Sequence, residues 1–157
     1  MNYRIKQFSG RNYKFLKEFL YEAIFVPEGE QKPPKSIIYK PELQVYLKDF
    51  GKLDDFCFVA LYNGEIIGAA WSRIMNDYGH IDEETPSLAI SVKENFRNKG
   101  IGTQLMKALL ECLKKTGYKS VSLSVQKANY AAKMYRKLGF EEVTENADEW
   151  IMRKKLK

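Results

Sequence analysis

Between Leu88 and Phe140 the hydrophobic period alternates through four segments, and that alternation leaves few folds open to the chain. Leu88 to Val92 is a short apolar run of strand type. Ile101, Leu105, Ala108, Leu109, Cys112 and Leu113 then recur at helical spacing, and Gly117 stops that helix. Val121 to Val125 is strand again, and Asn129 to Leu138 is a helix ended by Gly139. Strands and helices that follow one another so closely bury their apolar sides against each other, which predicts helices packed on the faces of a sheet.

The flanking segments extend this pattern. Tyr3 to Phe8 alternates as a strand, and Asn12 to about Phe25 reads as an amphipathic helix with Asn12 as its cap. Pro27, Gly29, Pro33 and Pro34 mark a long loop, after which Pro41 opens a short helix with Gly51 just past its end. Phe56 to Tyr62 and Glu65 to Ile74 are strands, and Asn63-Gly64 between them favours a type I′ hairpin turn. Two last strands cover Phe140 to Thr144 and Glu149 to Lys154. The order predicts an α/β fold with a mixed sheet. No repeat or linker divides it, so residues 1–157 read as one domain.

Composition narrows the function classes. The net charge is +6, yet the lysines are interleaved with acids rather than gathered into a stripe, which argues against a nucleic-acid partner. No apolar run has the length of a membrane span, and the alternating first residues lack the core of a signal peptide. Cys57 and Cys112 both fall inside apolar patterns and read as buried free thiols, in keeping with the cytoplasm. One His and two separated Cys cannot supply a zinc site, and no Gly-x-Ser-x-Gly elbow supports a serine hydrolase.

The junction from Lys93 to Thr103 carries the chemistry. Gly100 and Gly102 remove side chains where a helix begins, and a helix start offers unpartnered N–H groups and the positive end of the dipole. Arg97 and Lys99 add charge at the rim. The pattern suits a diphosphate, although two glycines at a strand-to-helix turn also serve a plain turn. A Rossmann fingerprint needs a third glycine where this chain has Leu105, and no phosphate loop ending in Gly-Lys-Ser/Thr occurs.

A second segment, Asn129 to Phe140, changes the reading. Arg97, Gly100 and Gly102, with Asn129, Ala131, Tyr135, Gly139 and Phe140, resemble the two motifs of the Gcn5-related N-acetyltransferase (GNAT) family, in the same order. The resemblance is specific from Leu88 to Phe140 and extends to the element order of most of the chain. It implies a mostly antiparallel mixed sheet with splayed central strands, a bulge in the strand Leu88 to Val92, and about four helices. It also implies acetyl-CoA as acyl donor, no metal, and a primary amine on a small molecule or peptide as acceptor. The alternative is a non-catalytic acyl-CoA-binding module of the same fold. A homodimer is left open by late strands that can pair across one.

The resemblance further implies roles for single residues. Backbone groups of Ile90, Ser91 and Val92 would hold the pantetheine arm, with the Val92 N–H free to stabilise an oxyanion. Arg97, Asn98, Lys99, Gly100, Ile101, Gly102 and Thr103 would wrap the pyrophosphate. Asn129, Ala131 and Ala132 would border the arm. Tyr135 would donate a proton to the departing thiolate, though on helix pattern alone it is equally a core aromatic. The expected bases are Glu84 and Glu83, then His80, all in a loop that also reads as simply solvated. Phe25, Tyr39, Tyr46 and Trp71 are candidates for an aromatic acceptor wall, with Glu28 or Glu30 to attract a cation.

Overall fold

The computed structural model describes residues 1–156. Seven strands form one sheet in the order β1-β2-β3-β4-β5-β7-β6. β1 (Arg4–Gln7), β2 (Phe56–Tyr62), β3 (Glu65–Arg73) and β4 (Ser87–Val92) pair antiparallel in succession. β5 (Ser120–Gln126), β7 (Glu149–Lys155) and β6 (Glu141–Glu145) make a second antiparallel group. The two groups meet where β4 and β5 run parallel, with one register pair, Ser87 opposite Ser122. Four helices accompany the sheet: α1 (Leu16–Ala23), α2 (Pro41–Gln44), α3 (Ile101–Thr116) and α4 (Ala131–Lys137). Among the described residues, no helix is long and apolar enough to cross a membrane.

Side chains alternate across a strand, so each face of the sheet needs its own cover. Cys57 and Val59 of β2, with Ala69 and Trp71 of β3, turn to one face, where Leu16, Phe19 and Leu20 of α1 and Leu43 of α2 close over them. Ala60 and Ala70 turn to the other, against Ile101, Leu105, Met106, Leu109 and Leu113 of α3. Those α3 side chains form a continuous stripe at helical spacing. Burying each contributes about 2 kcal/mol, so this helix is held by packing more than by propensity. At the β2–β3 turn, Asn63 and Gly64 both adopt positive φ (50° and 77°), as a type I′ turn requires.

Four local expectations are corrected. The first helix starts at Leu16 rather than Asn12. Asn12 Oδ1 instead accepts the Lys14 N–H, and the chain enters α1 through tight turns at Tyr13 to Phe15. α2 ends at Gln44, well before Gly51, because the Arg73 guanidinium draws the carbonyls of Val45 and Lys48 to itself. Cys57 is buried, but Cys112 is half-exposed at the edge of the α3 stripe. No register shift interrupts β4 against β3; the shifts fall at Ala60/Leu61 and Glu142/Thr144. Both cysteines are free thiols.

Arg73 pins the α2 region to the sheet. Its guanidinium meets Asp55 Oδ2 at 3.0 Å, with side chains only 7% and 4% exposed. Removing one partner of a buried pair leaves the other charge uncompensated. Asp55→Ala is therefore expected to lower the unfolding free energy by about 3 kcal/mol in a urea titration. A loss under about 1 kcal/mol would mean that the Val45 and Lys48 carbonyls suffice to hold Arg73.

Candidate active site

Beyond the Ser87–Ser122 pair, β4 and β5 separate. The Lys93 N–H donates to the Ile67 carbonyl at 2.8 Å, and the register sets Ser91 opposite Ala69 and Ala89 opposite Trp71. Hydrogen-bonded positions alternate along an antiparallel pair. Lys93, Ser91 and Ala89 therefore turn their backbone groups to β3, while Val92 and Ile90 turn theirs toward the gap. The gap widens into a cleft of about 1060 Å³, with Ile90 and Val92 on one wall and Ser124 and Val125 on the other. That volume exceeds what one drug-sized ligand requires. Ser91 lines the cleft as well, with its hydroxyl donating to the Phe19 carbonyl at 2.6 Å.

The start of α3 borders the cleft. After β4 the chain passes Asn98 (φ 62°) and Gly100 (φ 81°), both left-handed, and α3 begins at Ile101 with no side-chain cap. The helical ladder starts with the Gln104 N–H on the Gly100 carbonyl, so the amides of Ile101, Gly102 and Thr103 precede it. The first turn of α3 has no acidic residue. Amides gathered by left-handed residues at the positive end of a 16-residue helix attract an anion. Arg97 stands at the mouth, its Nε donating to the Val92 carbonyl at 2.9 Å and its guanidinium 3.2 Å from Glu22. Lys99 does not line the cleft.

At the middle of the cleft lies Tyr135 of α4. It is buried, packs edge-on against Phe140 at 6.0 Å, and lines the cavity. Burial pushes its hydroxyl up to about 12, so it stays protonated and able to donate. Asn129 Oδ1 accepts the Ala131 N–H and caps α4 beside the cleft, whereas Ala132 turns into the core.

The expected bases are elsewhere. Glu83 and Glu84 are exposed, and His80 pairs with Glu83 at 3.1 Å. None of the three lines the cleft, because the Glu84 N–H bonds to Asp82 Oδ1 and folds the loop upon itself. Of the aromatic residues, Phe25 and Tyr46 line the cleft. Trp71 is core, donating to the Tyr46 carbonyl, and Tyr39 is 61% exposed beneath Lys17. Glu28 and Glu30 stay outside. Tyr78 and Glu149 also line the cleft, brought there from the β3–β4 loop and the start of β7. No sequence motif flags them; Tyr78 sits in a turn within its loop and Glu149 opens a strand.

Comparison with known proteins follows the same lines. The acetyltransferase (GNAT) family model matches residues 18–140. The chain is 35% identical over 95 residues to an N-alpha-acetyltransferase of Sulfurisphaera tokodaii, covering 55% of this chain and 56% of that protein. It is 34% identical over 107 residues to an N-alpha-acetyltransferase of Sulfolobus acidocaldarius, covering 62% and 61%. The matches thus span about three-fifths of these relatives or less. Among solved structures, the PaiA N-acetyltransferase of Thermoplasma acidophilum in complex with coenzyme A has a TM-score of 0.70 at 22% identity over 99% of both chains. That likeness is one of fold.

The two glycines at the start of α3 differ in what they require. Gly100 is left-handed, where a Cβ costs about 1–2 kcal/mol. At Gly102 a Cβ would meet Met134, Ile90 and Val92 only at 3.8 to 3.9 Å. Thermal denaturation without ligand should show Gly100→Ala destabilised by that amount and Gly102→Ala at wild-type stability. Equal effects would contradict the backbone assignment.

Proposed function

The chain belongs to the acetyltransferase (GNAT) family, and on that premise we propose that it moves an acetyl group from acetyl-CoA to a primary amine by direct attack in a ternary complex. The observation that carries this reading is the separation of β4 from β5, which leaves the backbone of Ile90 and the Val92 N–H without a strand partner beside an uncapped helix start. An extended, amide-bearing pantetheine arm suits the first feature and a pyrophosphate the second. The relatives named N-alpha-acetyltransferase, and the coenzyme A complex of similar fold, are in keeping with it.

In this reading the amides of Arg97 to Thr103 hold the pyrophosphate, with Arg97 exchanging Glu22 for phosphate oxygens. Lys99 adds charge at the rim. Ile90 and Val92 pair with the arm, Ser91 anchors their strand to α1, and Asn129 and Ala131 border the arm with Ala132 packed behind. The neutral amine attacks the thioester carbonyl, whose developing negative oxygen meets the Val92 N–H. As the C–S bond breaks, Tyr135 gives its proton to the thiolate. The acceptor enters past Tyr78 and Glu149, where an acid and a phenol favour a cationic amine. Residues 1–157 act as one catalytic unit, and two free thiols suit a reducing compartment such as the cytoplasm.

The test is release of the coenzyme A thiol from acetyl-CoA against amino-acid amides, N-terminal tetrapeptides and spermidine. Tyr135→Phe is expected to lower kcat about 100-fold while leaving KM for acetyl-CoA within about twofold. Because burial holds this phenol near 12, its ionisation should remove no wild-type activity at lower pH. Unchanged turnover in Tyr135→Phe at saturating acetyl-CoA would remove the assigned acid. Tight acetyl-CoA binding with no thiol release from any amine would favour the non-catalytic binding module.

A further inference from the structure

Acetyl transfer leaves a proton to be removed, because an amine of solution pKa about 10 is protonated at neutral pH and cannot attack. The acids expected to take it lie outside the cleft, yet Asp77, next in the chain to the cleft-lining Tyr78, holds one carboxylate oxygen with no structural explanation. Tyr46 lines the cleft, buried, with its carbonyl fixed by the Trp71 Nε1 donor at 3.1 Å. Its phenol lies beside the carboxylate of Asp77. Asp77 Oδ1 accepts the Ser87 hydroxyl at 2.7 Å, and Ser87 is the β4 residue at the fork itself. Asp77 Oδ2 is shut from solvent and has no partner.

The loop that carries Asp77 is clamped in place. A Cβ at Gly79 would lie 2.8 Å from the Leu123 carbonyl carbon and 2.9 Å from the Ser124 nitrogen, so this residue rests directly on the β5 backbone. The Ser122 hydroxyl donates to the Gly79 carbonyl at 2.7 Å. An unsatisfied buried carboxylate oxygen is costly, and native proteins keep few of them without a use. Burial raises the Asp77 carboxyl above the ordinary carboxylate range, opposed by the Ser87 hydroxyl, the neighbouring Tyr46 phenol and the Gly79 amide. Burial raises the Tyr46 phenol as well, with further contributions from Asp77, Tyr78 and Glu149. A phenol so raised stays neutral, which suits it to pass a proton rather than to store one.

We propose that Asp77, acting through the Tyr46 hydroxyl, takes the proton that the acceptor amine loses. This rests on the acetyl-transfer reading above. An N–H bond of the ammonium breaks, and its proton goes to the Tyr46 oxygen as the Tyr46 proton passes to Asp77 Oδ2. The freed nitrogen then forms the N–C bond. The C–S bond breaks, the thiolate takes the Tyr135 proton, and the second proton of the former ammonium leaves the nitrogen to solvent in the cleft. Asp77 and Tyr135 regain their starting states by proton exchange with solvent in the cleft. Tyr46 is the group that touches the amine; Asp77 is its positioning residue and proton sink.

The experiment compares Asp77→Asn and Tyr46→Phe with wild type in the thiol-release assay, using the best amine of the panel above, across pH. A carboxylate accepts a proton only when ionised, so wild-type kcat should rise with pH through the raised range of Asp77. Each variant should lower kcat about 100-fold with KM for acetyl-CoA unchanged, and Asp77→Asn should lose the acidic limb of the profile. The double variant should be no slower than either single one. Asn keeps an oxygen for Ser87. A carboxyl raised on folding costs stability as pH climbs through its raised range, so Asp77→Asn should melt no lower than wild type at neutral pH. Should it melt lower, Tyr46→Phe decides by the same loss of kcat. Wild-type turnover with kcat in both variants within about threefold of it, or an unchanged acidic limb in Asp77→Asn, overturns the relay and leaves the acetyltransferase reading standing. No turnover by wild type with any amine overturns both.

Discussion

Among the described residues, β4 and β5 join the two halves of the sheet through one register pair, Ser87–Ser122. Everything useful in the molecule depends on their meeting there and parting at once. Were the parallel ladder to continue, the backbone of Ile90 and Val92 would be satisfied by β5 and closed to any ligand. The fork is held instead by side chains: Ser87 on Asp77, Ser122 on the Gly79 carbonyl, and Gly79 against the β5 backbone. A gap in a sheet leaves polar backbone unpaired, and that cost is tolerated because the gap is where a substrate's own amides can pair.

The electrostatics of the cleft are divided along its length. At the start of α3, amide dipoles and Arg97 favour an anion, and no acid sits in the first turn. α1 supplies the balancing charge: Glu18 and Glu22, one helical turn apart, reach Lys93 and Arg97 on the loop after β4. These pairs are partly exposed, so each is worth under about 1 kcal/mol. Their role is to position α1 over the cleft, together with the Ser91 bond to Phe19 and the Tyr21 hydroxyl on the Pro33 carbonyl. The far end is acidic and aromatic, with Tyr46, Tyr78 and Glu149.

Most of the fold is legible in residue order. The strands at Phe56–Tyr62 and Ser87–Val92, the hairpin at Asn63-Gly64 and the α3 stripe follow from local periodicity and turn chemistry. These are short-range effects that a sequence displays directly. Errors fall where a distant partner overrides a local preference. α2 is cut short by Arg73, which lies about thirty positions later in the chain. The first helix starts late because Asn12 bonds within its own turn instead of capping. Trp71 could not be told from a cleft aromatic by composition, since only the pleat decides which face it joins.

For the site, Gly100, Gly102, Arg97, Asn129 and Tyr135 are visible as patterns because each sits at a strand or helix end, where spacing carries meaning. Asp77, Tyr78 and Glu149 are not. Asp77 and Tyr78 share one turn of the β3–β4 loop, and Glu149 opens β7; they meet because Gly79 rests on β5 and β7 lies beside it. The sequence by itself therefore determined the elements, their order and the anion-binding helix start, all of which are set by neighbours a few residues away. The tertiary structure alone decided which acids reach the cleft and which face solvent. That depends on contacts between distant segments and on how far two strands separate after one shared register.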